Sequence, residues 1–351
     1  MDFRYRSSSV AVIFARGAYQ KVAKILAAYD RIFIISTERF AQQVQSIIQS
    51  LPDKQWELFT EVVQHVPISL VDRCAERLVQ SKAEVLLALG GGSAIGLAKA
   101  LALRTSLPII AIPTTYAGSE MTNIWGISDE GKKTTGRDPI VQPQAVFYDP
   151  DLTQSMPPAI AATSAMNAMA HLVEALYAFD RNPISSHLSV LGIQKLLSGM
   201  QILAAEGKLS DTANESLLFG AYLAGKALGE VSMALHHKAA HVLGGSFGLE
   251  HAKVHTVLQA YVLEYQWEGL SSLIQQEFET AFDHPYPPRA LQSIAQNMGA
   301  PTSLKDIGFD ANDIDAAVEI MLQKPYPNPV PLERERLRRM LQNAFEGVLE
   351  N

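Results

Sequence analysis

The stretch that decides the fold reads Leu86-Leu87-Ala88-Leu89-Gly90-Gly91-Gly92-Ser93 and continues from Ala94 to Leu103. It predicts a buried strand, a glycine turn and a helix. Three successive glycines let backbone amides approach an anion without interference from Cβ atoms, and the helix directs its positive end at that anion. The pattern suits a pyrophosphate, so Gly90, Gly91, Gly92 and Ser93 are candidate cofactor contacts. A glycine turn that serves chain geometry alone is the alternative.

A second apolar strand, Ile109 to Pro113, leads into the polar run Thr114-Thr115-Tyr116-Ala117-Gly118-Ser119-Glu120. Hydroxyl groups in such a run hydrogen-bond phosphate, ribose or a nicotinamide amide. Thr114, Thr115 and Ser119 are therefore candidate cofactor contacts. Taken alone, the run is also compatible with an ordinary polar loop.

The strand Arg31 to Ser36 ends next to Thr37, where an NAD-selective protein places an acidic residue against the ribose hydroxyls. Thr37 is neutral and Arg39 is close. Thr37 is therefore a candidate cofactor contact in a site that accepts NADPH as well as NADH. The expected cofactor is NADH or NADPH.

Short apolar runs alternate with amphipathic segments up to about Pro150, as in a layered α/β domain. Continuously apolar strands joined by crossover helices predict a mostly parallel sheet covered on both faces. Residues 1–150 are therefore expected to form an α/β dinucleotide-binding domain. The further strands are Val10 to Phe14, Val85 to Leu89 and Ala145 to Tyr148, and the helices are Ala18 to Ala28, Arg39 to Ser50 and Val71 to Gln80.

Strand signals stop after Pro150, and residues 151–351 are predicted to form an all-helical catalytic domain. Its segments have helical character and are separated by Pro or Gly. The candidate helices are Ala159 to Ala178, Ser185 to Ala205, Asp211 to Gly229, Ser232 to Leu243, His251 to Tyr265, Pro288 to Asn297, Asp310 to Met321 and Pro331 to Glu346.

The composition is that of a globular chain of 351 residues, 48% apolar and 19% charged. A single cysteine, Cys74, excludes a disulfide scaffold. The net charge of -7 offers no attraction for phosphate backbones, so no nucleic acid partner is expected. No apolar run approaches the roughly 18 residues of a membrane span, which predicts a cytoplasmic protein without a membrane partner.

Histidines are concentrated in the second half of the chain. Asn167 and His171 are four residues apart on one predicted helix, and His237 and His241 are four apart on another. His251 opens a third helix. Five of the nine histidines lie between positions 236 and 255, and such clustering points to metal binding or proton transfer. Histidines that are separately satisfied in the core or at the surface are the alternative.

These motifs resemble the iron-containing alcohol dehydrogenase family. The resemblance rests on the Gly-Gly-Gly-Ser turn, on the run Pro113 to Glu120, and on a His-x3-His-x-Leu-Gly pattern followed by a final histidine. It spans the chain and implies the dehydroquinate synthase-like architecture of that family, an α/β nucleotide-binding domain followed by a helical domain. The implied metal-ligand positions are Asn167, His171, His237 and His251, with His241 beside them.

Two positions depart from the family pattern, and both match one branch of it. Asn167 replaces the one carboxylate among the ligands, and Gly96 stands where alcohol dehydrogenases usually carry Asp. Together with segments 116–126, 133–139 and 166–171, they resemble the maleylacetate reductases. The resemblance implies reduction of the C=C bond of maleylacetate to 3-oxoadipate with NADH or NADPH, in the catabolism of aromatic and chloroaromatic compounds, by a homodimer.

The resemblance also implies roles in catalysis for the residues of the histidine helices. His241 is the expected proton donor, because in the family pattern it is the histidine that the metal does not use. His237 and His251 are the expected oxyanion and carboxylate contacts. No metal is expected, because three neutral imidazoles and an amide leave a divalent cation uncompensated. The full set of expected catalytic residues is Asn167, His171, His237, His241 and His251.

The implied substrate is a small dicarboxylate, so cations should face it. Arg137, Lys133 and Lys238 are the nearest cations in the motifs, and Tyr116 is a further candidate substrate contact. Each cation is equally compatible with solvated surface charge. Two other functions stay open: a metal-dependent alcohol dehydrogenase that reduces a C=O bond, and a cofactor-binding protein without catalysis.

Overall fold

The computed structural model describes residues 3, 5, 7–129, 132–324 and 326–350, and of residues 132 and 133 it describes the backbone alone. The chain divides into two compact units. One is Ser7–Ser155, and the other is formed by the residues from Met156 onwards together with Phe3 and Tyr5. The N-terminal unit is α/β and the C-terminal unit is helical, so the predicted fold class is confirmed.

Six strands of the N-terminal unit form one parallel sheet. The described residues form strands β1 Ala11–Phe14, β2 Arg31–Ile35, β3 Gln55–Phe59, β4 Val85–Gly90, β5 Ile109–Pro113, β6 Ile124–Asp129, β7 Lys132–Arg137 and β8 Ala145–Tyr148. The order in the sheet is β1-β8-β5-β4-β2-β3, and the five predicted strands all belong to it. The edge strand β3 falls outside the predicted set, because it is mostly half-buried and lacks a continuous apolar run.

Helices cover both faces of this sheet. Side chains of one face, such as Leu87 and Ile112, share a core with residues of the short helices that follow β1 and β2. The alternate side chains, such as Leu86 and Ala111, point to the opposite face, and they are buried as well. Burial on both faces explains the continuously apolar strands. The helices are α1 Ala18–Lys21, α2 Ala23–Leu26, α3 Ala41–Ser50, α4 Ile68–Ser81, α5 Gly92–Thr105 and α6 Pro150–Thr153.

Strands β6 and β7 form a separate antiparallel hairpin in which Ile124 pairs with Arg137. Gly136 lies against the ring of Trp125, since a Cβ atom at position 136 would be 2.7 Å from that ring. The hairpin falls outside the predicted set of strands. Its second strand, Lys132–Arg137, carries no apolar side chain that would reveal it in the sequence.

The C-terminal unit is helical throughout its described residues, and helix α10 begins three residues later than predicted. The N–H and the hydroxyl of Ser232 donate to the Asp180 carboxylate over 2.9 Å and 2.8 Å, outside the helix. Helix α12 falls outside the predicted set. The helices are α7 Pro158–Tyr177, α8 Pro183–Glu206, α9 Asp211–Glu230, α10 Leu235–Ser246, α11 His251–Trp267, α12 Ser272–Phe282, α13 Pro287–Asn297, α14 Ile314–Leu322 and α15 Arg334–Glu346.

Glycines let helices α7, α8 and α9 approach closely. A Cβ atom at Gly192 would lie 2.8 Å from the side chain of Leu172, and one at Gly199 would lie 2.6 Å from that of Leu217. By length and composition alone, α8 is apolar enough to cross a membrane. This corrects the expectation that no segment reaches that threshold, and the packing of α8 against α7 and α9 accounts for its composition.

Candidate active site

The predicted cofactor contacts lie at the carboxyl ends of three neighbouring strands of the N-terminal unit. Strand β2 ends just before Thr37, β4 ends at Gly90, and β5 ends at Pro113. After β2 the chain continues outward to β3, whereas after β4 it continues inward to β5, so its direction reverses between β2 and β4. Ligands of open α/β sheets bind at such a switch point.

The glycine turn after β4 packs against the polar run after β5. A Cβ atom at Gly91 would lie 3.0 Å from the Thr115 side chain, and one at Gly92 would lie 3.3 Å from the Cβ atom of Ala117. Gly91 is the N-cap of α5 and gives no side-chain hydrogen bond to its first turn. The first-turn N–H groups near Ser93 therefore suit an anion. The same glycines serve chain geometry and leave a site for phosphate.

The two other groups of predicted cofactor contacts differ in exposure. Thr114 is buried and its N–H donates to the Gly90 carbonyl over 3.1 Å, whereas Thr115 and Ser119 are half-buried. Thr37 is half-buried beyond β2. Arg39, its cationic neighbour, donates to the carbonyl and the hydroxyl of Ser155 over 3.0 Å and 2.8 Å, so this guanidinium is already engaged within the protein.

Three of the predicted substrate contacts belong to the N-terminal unit, and Lys238 belongs to the C-terminal unit. Tyr116 is fully buried, and burial raises the pKa of its hydroxyl. The role of Tyr116 as a substrate contact stays a prediction. Arg137 is exposed and donates to Asn123 over 3.4 Å, whereas the side chain of Lys133 lies outside the described residues. Lys238 is half-buried, and burial together with Lys324 lowers its pKa.

The four predicted histidines lie in one cluster formed by α7, α10 and α11 of the C-terminal unit. Ring centroids are separated by 5.1 Å between His171 and His237, by 6.3 Å between His237 and His241, and by 6.2 Å between His241 and His251. His255 lies in the middle of the cluster. Its ring is 5.0 Å from that of His237 and 4.3 Å from that of His251.

A buried carboxylate, that of Glu174 on α7, contacts this cluster at the start of α10. It accepts the backbone N–H groups of His236 and His237 over 2.9 Å and 3.4 Å, and it contacts Nδ1 of His237. The N-cap of α10, Ala234, has no side chain that can cap the helix. Glu174 therefore caps α10 and orients the His237 ring at the same time.

The Glu174 contact fixes the tautomer of His237. An ionised carboxylate only accepts, so Nδ1 of His237 carries the proton and Nε2 presents a lone pair. Burial alone would raise the pKa of the Glu174 carboxyl, but the neighbouring His237 ring outweighs that effect and the net direction is downward. Nε2 of His237 has no hydrogen-bond partner among the described residues, and the oxyanion role of His237 stays a prediction.

The buried histidines of the cluster are neutral. Burial lowers the pKa of His171 and of His255 well below its ordinary value, and neighbouring imidazoles lower it further. Burial lowers the pKa of His236 to about 3, although the Glu174 carboxylate acts in the opposite direction. The Nε2 atom of His236 and the Nδ1 atom of His255 are 2.8 Å apart and share one hydrogen bond. His171, His236 and His255 are therefore neutral rings in a cluster that contains the Glu174 carboxylate.

Several donor atoms of the cluster are buried without a hydrogen-bond partner in the described part of the chain. They are Oδ1 of Asn167, Nδ1 of His171, Nδ1 of His236, Nε2 of His237 and Nε2 of His255. A buried polar atom without a partner costs free energy. Five such atoms on neighbouring helices indicate that the cluster receives a ligand.

The predicted site leaves out three residues of this cluster, His236, His255 and Glu174. His255 follows His251 by four residues on α11, the same spacing that identifies the pairs on α7 and α10, and this repetition is the available signal. Glu174 follows His171 by three residues, which is also one helical turn. The neighbour of His237, His236, has no spacing signal because its role depends on contact with another helix.

Exposure separates the outer histidines from the inner ones. His241 is exposed and His251 is half-buried, whereas His171, His236 and His255 are buried. A cavity of about 510 Å³ in the C-terminal unit, lined among others by Tyr265, Tyr286 and Arg336, includes none of the predicted site residues. Because its side chain is exposed, His241 can exchange protons with water.

Models of one known family match both units of the chain. A family model described as iron-containing alcohol dehydrogenase matches residues 9–150, and the model of the C-terminal domain of the same family matches residues 161–345. The chain belongs to the iron-containing alcohol dehydrogenase family. The resemblance carried by the glycine turn and the histidine spacing is thereby confirmed.

Several relatives are similar over nearly their full length. Maleylacetate reductase of Sphingobium indicum is 39% identical over 349 residues, 99% of each chain. The crystal structures of maleylacetate reductase from Agrobacterium tumefaciens and from Rhizobium sp. strain MTP-10005 are each 37% identical and cover 99% of both chains, with TM-scores of 0.94 and 0.93. Members of the branch indicated by Asn167 and Gly96 therefore match the chain over nearly its full length.

The expectation that this protein holds no metal is wrong, because the family is iron-containing. That expectation counted charge at the ligand positions alone, where Asn167 is neutral. The ionised Glu174 supplies a buried negative charge one hydrogen bond from His237, which is the outer partner that metal-binding histidines commonly have.

The donors in the cluster fit a divalent iron ion by their chemistry. Imidazole nitrogens suit iron, and the orphaned atoms of Asn167, His171 and His237 are buried and directed within one cluster. In the described part of the chain, no group of three or more His, Cys, Asp or Glu side chains is already arranged as metal ligands require. The cluster therefore matches iron in the type of its donor atoms, but the described side chains do not form a coordination geometry.

Proposed function

We propose that this protein is an NAD(P)H-dependent reductase that converts maleylacetate to 3-oxoadipate in the catabolism of aromatic and chloroaromatic compounds. The observation that carries the proposal is the full-length similarity to maleylacetate reductases at 37–39% identity. The histidine cluster with its orphaned donors supports a site for catalysis rather than for binding alone. A cytoplasmic homodimer, as the family resemblance implies, is part of the proposal.

The reaction is a conjugate reduction. The C=C bond of maleylacetate is conjugated to a ketone, so a hydride from NAD(P)H adds to the carbon β to the carbonyl. The electron pair of the C=C bond moves toward the ketone oxygen and forms an enolate. A proton then adds to the carbon next to the carbonyl, which gives 3-oxoadipate and NAD(P)⁺. The protein must therefore bind a dianion, stabilise an enolate oxygen and supply one proton.

His241 supplies the proton in this proposal. It is exposed, so water can reprotonate it between turnovers, whereas His171, His236 and His255 are buried and neutral. A buried imidazole with a strongly lowered pKa is a poor proton donor near neutral pH. Among the histidines of the cluster, His241 therefore combines position with access to protons.

The iron site of the family falls on Asn167, His171, His237 and His251 in this chain. Iron held by these residues would provide a Lewis acid for the substrate oxygen. Glu174 orients His237 so that its Nε2 lone pair faces away from the carboxylate. Half-buried Lys238, next to His237, provides positive charge for a substrate carboxylate.

The dinucleotide binds at the carboxyl edge of the parallel sheet. The first turn of α5 at Gly92 and Ser93 receives the pyrophosphate, and the hydroxyls of Thr114, Thr115 and Ser119 bind the remaining polar groups of the cofactor. Thr37 carries no negative charge against a 2′-phosphate, which supports use of NADPH beside NADH. Arg39 does not contribute, because it is engaged with Ser155.

The proposal is tested by following NADH oxidation with maleylacetate as the substrate and NADPH as the alternative cofactor. We expect turnover with maleylacetate and formation of 3-oxoadipate. With NADH deuterated at the transferred position, the product should carry one deuterium on the carbon β to the ketone. The control substrate is a saturated oxo acid of similar length. Reduction of the saturated ketone without reduction of maleylacetate would instead establish an alcohol dehydrogenase.

A further inference from the structure

Lys99 is a buried cation that the proposed reaction does not use. It lies on α5 two helical turns after the glycine turn, and its side chain is fully buried. Its Nζ atom donates to the carbonyl oxygens of Ser119, Thr122 and Ile124 over 2.6 Å, 2.6 Å and 2.8 Å. The hydroxyl of Thr122 lies 3.0 Å from the same nitrogen.

The three carbonyl groups require the ammonium form of Lys99. Carbonyl oxygens only accept hydrogen bonds, and an ammonium group has three N–H bonds, one for each of them. Lysine is almost never fully buried unless its charge is satisfied. A buried amino group whose hydrogen bonds all go to one chain segment fixes the position of that segment.

The segment that Lys99 holds is the end of the polar run after β5. Ser119 is one of the predicted cofactor contacts, and Ile124 is the first residue of β6. The beginning of the same run is held by the packing of Gly91 against Thr115. The run between β5 and β6 is therefore attached to α5 at two points, one at the first turn of the helix and one at Lys99.

A second buried polar group lies next to this attachment. Glu120 is fully buried, and one of its carboxylate oxygens accepts the Tyr148 hydroxyl over 2.7 Å. Burial lowers the pKa of Lys99 to about 7, Glu120 acts in the opposite direction, and Arg137 lowers that pKa further. Burial also raises the pKa of the Glu120 carboxyl. Tyr148 lies on β8, so the run is also linked to the sheet. A loop that only connects β5 to β6 would not require a buried cation and a buried acid.

We propose that Lys99 is a positioning residue for the dinucleotide: its ammonium group holds residues 119–124 against α5, so that the first turn of α5 and the hydroxyls of the run keep one fixed arrangement. The inference rests on the proposed function only for the identity of the cofactor. Lys99 does not touch the ligand. It acts through the backbone of the segment that carries Ser119.

The test is direct titration of the Lys99→Met variant with NADH, followed by the fluorescence of the bound cofactor. Methionine keeps most of the side-chain length and removes all three N–H donors. We expect the Kd for NADH to rise by a factor on the order of 10 to 100, as small displacements of binding groups commonly do. In steady-state assays KM for NADH should rise, while KM for maleylacetate and kcat at saturating NADH change much less.

The matched control is Lys226→Met in the C-terminal unit. Lys226 is also largely buried and pairs with Glu230 over 2.7 Å, so its loss costs stability without touching the sheet. We expect a lower Tm for this variant and an unchanged Kd for NADH. If Lys99→Met also left the Kd for NADH within twofold of the wild-type value, the positioning role would be refuted.

A milder variant keeps the inference testable if Lys99→Met does not fold. Thr122→Val removes a hydroxyl that contacts Lys99 and donates to Ser119 over 3.1 Å, but it leaves the three carbonyl groups in place. We expect a Kd for NADH that is raised by a factor of about 2 to 5. An unchanged Kd would refute the inference. Weakened NADH binding in a protein that does not reduce maleylacetate would support the inference and refute the proposed function.

Discussion

Two buried polar sites, the Lys99 site in the N-terminal unit and the histidine cluster in the C-terminal unit, are satisfied in opposite ways. In the N-terminal unit, the three N–H groups of Lys99 have three carbonyl partners. In the C-terminal unit, the buried atoms of Asn167, His171 and His237 have no hydrogen-bond partner among the described residues. Burying a polar group without a partner is costly, so the difference between the two units requires an explanation.

The explanation is a difference in what each region must do. A fully satisfied buried ion fixes the chain around it, which suits a segment that presents hydroxyls to a cofactor in one arrangement. Donor atoms without partners retain their capacity for an added group, which suits a site that holds iron and substrate. At these two sites, buried polar atoms with hydrogen-bond partners therefore belong to a residue that fixes the chain. Buried polar atoms without partners belong to residues that hold a ligand. The following predictions test that distinction.

The largest expected effect is on His241, at the exposed end of the histidine cluster. His241→Asn removes the proposed proton donor and keeps a polar side chain of similar size. Loss of a general acid typically lowers the rate by a factor of ~10²–10⁴. We expect that loss in kcat with maleylacetate at saturating NADH, with little change in KM.

His187→Asn on α8 is the matched control for His241→Asn, because His187 is exposed in the same unit but lies outside the cluster. It should retain the wild-type kcat. A His241→Asn variant with nearly full kcat would move the proton donor to another residue. The exposed end of the cluster would then take part in binding and not in proton transfer.

The next effect concerns Glu174, the one satisfied anion inside the region of orphaned donors. Glu174→Gln keeps the shape of the side chain and removes its charge, so the His237 ring loses its anionic partner while an amide oxygen remains as an acceptor. Loss of such an outer partner typically lowers metal affinity 10-fold to 100-fold. We expect iron to be lost to a competing chelator at a correspondingly lower chelator concentration.

Glu277→Gln is the control for Glu174→Gln, since Glu277 is a partly buried acid of the same unit that pairs with Arg181. It should keep the wild-type iron affinity. A lower Tm with unchanged iron affinity in Glu174→Gln would mean that this carboxylate serves only as the cap of α10. The comparison between the two units would then lose its support on the C-terminal side.

The same distinction explains what the sequence predicts and what it does not. Strands β4 and β5 are buried on both faces, and their continuous apolar runs predict them almost to the residue. Strand β6 is half-buried for most of its length and the described side chains of β7 are mostly exposed. The sequence of the hairpin carries little of the alternation that marks a half-buried strand. Local pattern identifies elements whose burial follows from their own sequence.

The histidine site follows the same rule. Spacing along single helices identifies His171, His237 and His241, because side chains four residues apart share a face. Glu174 and Lys99 act through contacts with other elements, and in the sequence Lys99 resembles a surface residue of an amphipathic helix. The expectation of no metal failed for this reason, since the compensating charge comes from Glu174 and not from the ligand positions.

The smallest expected effect compares glycines in the two helices that carry the sites. At Gly96 on α5, a Cβ atom would lie 3.0 Å from Cγ2 of Val66. Val66 has a left-handed backbone conformation, with φ of 49°, and its carbonyl accepts the N–H of Ser128 over 3.1 Å. A β-branched residue that is strained and held in this way has little freedom to move aside.

Gly245 near the end of α10 offers the opposite case, because a Cβ atom there meets no atom within 4 Å. Replacing a helical glycine with alanine contributes roughly 0.5–1 kcal/mol where space allows, and overpacking costs about 1–3 kcal/mol where it does not. We therefore expect Gly96→Ala to lower the free energy of unfolding by about 1 kcal/mol and Gly245→Ala to raise it slightly, as measured by urea denaturation. Equal effects of both variants would show that α5 is no more tightly held than α10. The tight attachment inferred for the cofactor side of the molecule would then rest on Lys99 alone.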